Sequence, residues 1–149
     1  MTAAGDLQRL LAVEDIKHLK SRYFRYVDTK DWDAWRGLFA DDGHFEIGAG
    51  TFDGADAFVA NVREFLAHAT TFHHGHMPEI DILSADEATG IWTLHDVVEP
   101  PASSGVSPFY GYARYWERYE RRNGAWKIAS MRIERLRKVE YSHEEASCR

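Results

Sequence analysis

The densest chemistry in this sequence lies at Phe72-His73-His74-Gly75-His76-Met77-Pro78, three imidazoles at the start of a strand. Alternation sends His74 and His76 to one face and His73 to the other, so the three cannot meet one ion on regular backbone. A metal would have to take His74 and His76 with a distant carboxylate, and no metal is expected. Gly75 and Pro78 invite a bulge, which would change the facing of a neighbouring histidine. A single pocket histidine serving as a base suits the segment better, because unperturbed imidazole titrates near neutral pH. Asp96 is the next anomaly. In the strand that contains it, Trp92, Leu94, Asp96 and Val98 fall on one face. A carboxylate in that row is costly unless paired or solvated in a cavity, and burial would push it toward a usable acid. It is either that acid or half of a structural ion pair, with Arg132 as candidate partner. Tyr23 and Asp28 lie near the end of a helix, five positions and about 140° apart, so their convergence needs a bend or fraying. Core packing for Tyr23 and a turn cap for Asp28 are the plain alternatives. The aromatic run from Tyr110 through Tyr112 and Tyr115 to Trp116 reads as sheet packing before it reads as a ligand platform.

The elements that must position these groups follow from periodicity. Leu10, Val13, Ile16, Leu19, Tyr23 and Tyr26 recur at steps of three and four, which predicts a helix over 7–26. Asp31 caps a short helix over 32–39, a small hairpin turns at Gly48-Ala49-Gly50, and a third helix runs over 55–68. Beyond residue 69 the pattern changes to long aromatic and β-branched segments over 72–83, 88–99, 109–121 and 125–139. Asn123-Gly124 between the last two predicts a type I′ hairpin. Helices first and long strands afterwards define an α+β fold. Its curled antiparallel or mixed sheet forms a cone around three N-terminal helices, with a small-molecule site inside.

Composition narrows the function classes. With 44% hydrophobic and 28% charged residues among 149, the chain suits one domain, placed at 7–140 between flexible termini at 1–6 and 141–149. Eighteen Lys+Arg against 24 Asp+Glu give a net charge of −6, which argues against nucleic acid. The lone Cys148 can form neither an internal disulfide nor a cysteine metal cage. No leader or membrane span is evident, so a cytoplasmic protein is expected.

The run over 16–32, with Tyr23, Asp28 and Trp32, resembles the opening of SnoaL-like proteins of the nuclear transport factor 2 superfamily. That superfamily has the cystatin-like cone deduced above and includes scytalone dehydratases, ketosteroid isomerases, polyketide cyclases and bile-acid 7-alpha-dehydratases. The stretch His73-His74-Gly75-His76-Met77-Pro78-Glu79-Ile80 and the later Gly90-Ile91-Trp92-Thr93-Leu94-His95-Asp96 look most like the bile-acid enzymes, with the scytalone dehydratases next. Against the latter, Asp28 and His73 match, while Val27 and Ile47 stand where two pocket tyrosines are expected. The resemblance implies Tyr23, Asp28, His73 and Asp96 as catalytic groups and Arg132 at the substrate; Trp92 and Tyr115 are further candidate substrate contacts. It implies a cofactor-independent dehydratase acting on a hydrophobic, carbonyl-activated steroid-like or polyketide-like alcohol. Isomerisation or polyketide cyclisation in the same pocket, and a non-catalytic ligand-binding module, are the alternatives. A homodimer or homotrimer is expected.

Overall fold

The computed structural model describes residues 2–48 and 50–147; Met1, Ala49, Cys148 and Arg149, and with them the lone cysteine and the centre of the expected 48–50 turn, lie outside the described residues. Helix α1 (Ala3–Thr29) starts where the Thr2 side chain accepts from the Gly5 N–H. It ends where Lys30 takes a left-handed φ of 62° and returns its N–H to the Tyr26 carbonyl. It therefore begins inside the stretch expected as an N-terminal tail. Its buried stripe is Ala12, Ile16, Leu19, Lys20, Tyr23 and Val27. The expected stripe is corrected at both ends, because Leu10 is exposed and Val27 rather than Tyr26 completes the inner face. The inner face also carries a lysine.

Asp31 caps α2 (Trp32–Arg36) through the Ala34 N–H, as the spacing requires. This helix stops short of the expected 39, since Phe39 opens strand β1 (Phe39–Ile47). Strand β2 (Gly50–Asp53) and helix α3 (Ala55–Leu66) follow, then β3 (Thr70–Ile82), β4 (Glu87–Glu99), β5 (Phe109–Arg122) and β6 (Ala125–Glu140). A short α4 (His143–Ser147) lies in the stretch expected as a C-terminal tail. Asn123 and Gly124, with φ of 51° and 79°, make the β5–β6 turn that Asn-Gly predicts.

The six strands form one sheet in the order β2-β1-β6-β5-β4-β3. Sequential neighbours are antiparallel, and β1 runs parallel to β6, so the sheet is mixed. Helix α1 lies against β3 and β6, and α3 against β1 and β2. Between helices and sheet the core is aromatic: Trp35 meets Phe39 at 4.9 Å between ring centroids, and Phe45 stacks on Phe58 at 4.5 Å. Three bulges matter for facing. One extra residue in β3 lies between His76 and Glu79, and two in β6 shift register near Ile128–Ser130 and Arg135–Arg137. Among the described residues no helix is long and apolar enough to cross a membrane.

Candidate active site

Asp28 sits in the last turn of α1, where the helix runs against the start of β3. Its carboxylate accepts three hydrogen bonds from that strand: the Thr71 hydroxyl at 2.8 Å, the His73 backbone N–H at 2.9 Å and His73 Nδ1 at 2.6 Å. A carboxylate only accepts, so Nδ1 carries the proton and a neutral ring keeps its lone pair on Nε2. Lys30, held by its left-handed backbone just past the helix, donates to Thr71 Oγ1 at 2.7 Å and to the Val27 carbonyl at 3.2 Å. Burial raises the Asp28 carboxyl, but the hydrogen bonds from the His73 side chain and backbone and from Thr71 outweigh it and hold Asp28 below the usual carboxylate range. No fraying of the helix is needed to join Asp28 to the site, because His73 spans the gap from β3.

His73 lines a half-open cavity of about 770 Å³ between the sheet and α1 and α3. The volume falls within the range of small-molecule sites, roughly 300–1,000 Å³. Tyr23, Leu94, Asp96, Tyr115 and Arg135 line the same space, and Val62 and Phe65 of α3 complete its apolar wall. The alternation expected in β4 holds: Trp92, Leu94, Asp96 and Val98 are all buried on one face. His74 and His76, by contrast, are exposed.

Three expected placements are corrected. Asp96 meets not Arg132 but Arg135, whose Nη1 and Nη2 donate to its two oxygens at 2.6 and 2.9 Å. This fork-on-fork geometry is that of an ion pair rather than of a protonated acid. Arg132 pairs with Trp116 across β5 and β6 and lies on the outer face, its guanidinium 5.3 Å from that indole. Trp92 is core rather than cavity wall: its Nε1 donates to the Tyr119 hydroxyl at 2.8 Å. Tyr23 and Tyr115 do lie together at the cavity, edge to face at 5.8 Å between ring centroids. Burial is the main cause that pushes both hydroxyls upward, so both stay protonated.

Reading the sequence also missed a buried charge pair. Lys20 of α1 and Glu117 of β5 are both fully inaccessible and meet at 2.5 Å. Tyr119 donates to the other Glu117 oxygen, extending the network to Trp92. The signal was present, since Lys20 is spaced with Ile16, Tyr23 and Val27, and Glu117 alternates with Ala113, Tyr115 and Tyr119.

Fold and cavity define a cystatin-like α+β protein whose curled sheet encloses a small-molecule pocket. The model of the SnoaL-like domain matches residues 8–132, and the chain belongs to that family. It is 30% identical over 133 residues to hexachlorocyclohexane dehydrochlorinase 1 of Sphingobium indicum, a match covering 85% of this chain and 83% of that protein. The crystal structure of a type 2 hexachlorocyclohexane dehydrochlorinase, LinA, superposes with a TM-score of 0.82 at 25% identity, covering 93% of this chain and 94% of the other. A Novosphingobium aromaticivorans protein described as a candidate scytalone dehydratase superposes with a TM-score of 0.82, covering 90% of each chain; at 18% identity it speaks for the fold alone. The family and these relatives support a small-molecule lyase- or isomerase-type activity.

Proposed function

We propose that this chain is a cofactor-independent lyase that removes water from a hydrophobic alcohol whose β-hydrogen is acidified by a carbonyl, directly or through a conjugated alkene. One observation carries the reading: His73 presents its ring to a largely apolar cavity while Nδ1 is fixed on Asp28 at 2.6 Å. Nε2, which has no partner among the described residues, takes the carbon-bound proton. The electron pair of that C–H bond moves toward the carbonyl oxygen, and Asp28 stabilises the imidazolium that forms. Tyr23, with Tyr115 beside it, donates to the developing oxyanion. As the enolate collapses to an alkene the C–O bond breaks. The imidazolium returns its proton to the departing hydroxyl, which leaves as water. Arg135, anchored by Asp96, offers its remaining N–H groups to an electronegative substituent of the substrate.

The dehydrochlorinase relatives favour a second reading, elimination of hydrogen chloride, which uses the same proton abstraction with a leaving group that needs no proton. Incubation with β-hydroxyketones of steroid and polyketide type and with hexachlorocyclohexane separates the readings. Loss of one water by mass supports the first and chloride release the second. Isomerisation leaves the mass unchanged. Binding without any product supports a ligand-binding module. We propose further that a second copy packs on the outer sheet face, where Tyr112 and Trp116 are partly exposed; Trp116→Asp should lower the sedimentation coefficient.

A further inference from the structure

The Lys20–Glu117 pair is not explained by stability. Taking two charges out of water is costly, and apolar replacement of such pairs is commonly neutral or stabilising. Its position is more informative. Lys20 Nζ lies 3.8 Å from the centroid of the Tyr23 ring and 3.5 Å from that of Tyr115, against the two rings that line the cavity beside His73. Phe24 is farther, at 5.0 Å. A cation on the face of a phenol draws π density away from the hydroxyl, so its O–H becomes a stronger donor at the opposite edge.

We propose that Lys20 is a positioning residue that acts through Tyr23 and Tyr115, polarising them into one subsite for an oxyanion, with Glu117 holding the ammonium charged and in place. The inference deepens the elimination reading and rests on it: the ligand class is an enolate or another delocalised oxyanion on an apolar frame. Burial pulls Lys20 down to about 8, with Glu117 opposing that fall, so the ammonium is charged at pH 7. Lys20 touches no substrate in this scheme, and its whole effect passes through the two rings.

The test needs no natural substrate. 2-Naphthol and naphthalene are bound to the full-length protein at pH 7, and the ionised fraction of bound 2-naphthol is read from its ultraviolet absorbance. Wild type should bind 2-naphthol more tightly than naphthalene and partly as the anion. Lys20→Met/Glu117→Gln, and Lys20→Met/Glu117→Leu as a second neutral pair, should reduce that preference about tenfold, the scale of a desolvated cation–π contact, with naphthalene affinity unchanged. No preference in wild type, or a preference untouched by Tyr23→Phe, overturns the tyrosine subsite and this inference with it. A preference kept in both neutral pairs overturns the role of Lys20 alone. Equal loss of both ligands shows that Lys20 only packs, which overturns it as well.

Discussion

Arg135 reaches Asp96 across an intervening strand at the point where that strand has no side chain. Asp96 of β4 is paired with Gly111 of β5, and the guanidinium of Arg135 comes over from β6. A Cβ at Gly111 would lie 2.7 Å from Arg135 Nη1, 2.6 Å from the Arg137 carbonyl and 3.2 Å from Asp96 Oδ1. The glycine is required by close approach of other groups, not by its own backbone angles.

Gly111→Ala should therefore displace Arg135 and lower stability by about 1–3 kcal/mol, the range for overpacking. Arg135→Met leaves an almost inaccessible carboxylate without its cation. Because the Arg135 side chain is itself 36% exposed, the loss should fall below the fully buried range, about 1–3 kcal/mol. Asp96→Asn/Arg135→Met should recover most of it. Urea midpoints of the four proteins decide this, and a neutral Arg135→Met would show that Asp96 is satisfied by other groups.

Lys20 and Glu117 should behave more sharply, since neither side chain has any exposure. Lys20→Met alone orphans a buried carboxylate and should cost about 3–5 kcal/mol, whereas Lys20→Met/Glu117→Leu should cost far less. Thermal or urea unfolding of the two variants gives the comparison, and equal losses would contradict a paired origin.

Thr71 donates to Asp28 and accepts from Lys30, so it fixes the carboxylate that fixes His73. Thr71→Val should cost about 1.5–3 kcal/mol of stability, the worth of a hydrogen bond to a charged group. It should lower kcat more than it changes KM, because ring orientation matters most in the transition state. Steady-state kinetics on the substrate identified by the product assay check this.

Acid sensitivity follows from Asp28. Its folded pKa lies below the ordinary 3.8, so between those values the unfolded chain binds more protons than the folded one. The stability it contributes is complete above about pH 4 and is lost as pH falls through the lower, folded value. Asp28→Asn should be less stable than wild type at pH 6, and that gap should narrow progressively as pH falls below 3.8. Denaturant titrations at the two pH values measure the difference; a pH-independent gap would contradict the assigned direction.

Much of this was legible in the residues for local reasons. The Asp31 cap and the Asn123-Gly124 turn act within a few residues of chain, so their chemistry identifies them directly. The inward row of β4 follows from strict alternation, which is why Asp96 stands out beside Trp92 and Leu94. Alternation fails in β6 because two extra residues shift its register, and nothing in the composition near Ala129 or Leu136 marks them. The first of them, near Ala129, is enough to exchange the faces that a regular strand from the hairpin suggests for Arg132 and Arg135; the second lies beyond Arg135. Lys20 was obscured for another reason: a stripe drawn from apolar residues alone assigns every lysine to solvent, and only the inward Glu117 on a distant strand makes its burial tolerable.

The central claim is that His73 removes a proton from carbon. Its most direct test is the single-turnover rate of the elimination found in the product assay, for wild type and for His73→Ala, with matched circular dichroism and matched ligand affinity. The expected result is a fall of about 10²–10⁴-fold, the worth of a positioned general base. An unchanged rate in folded His73→Ala protein would contradict it.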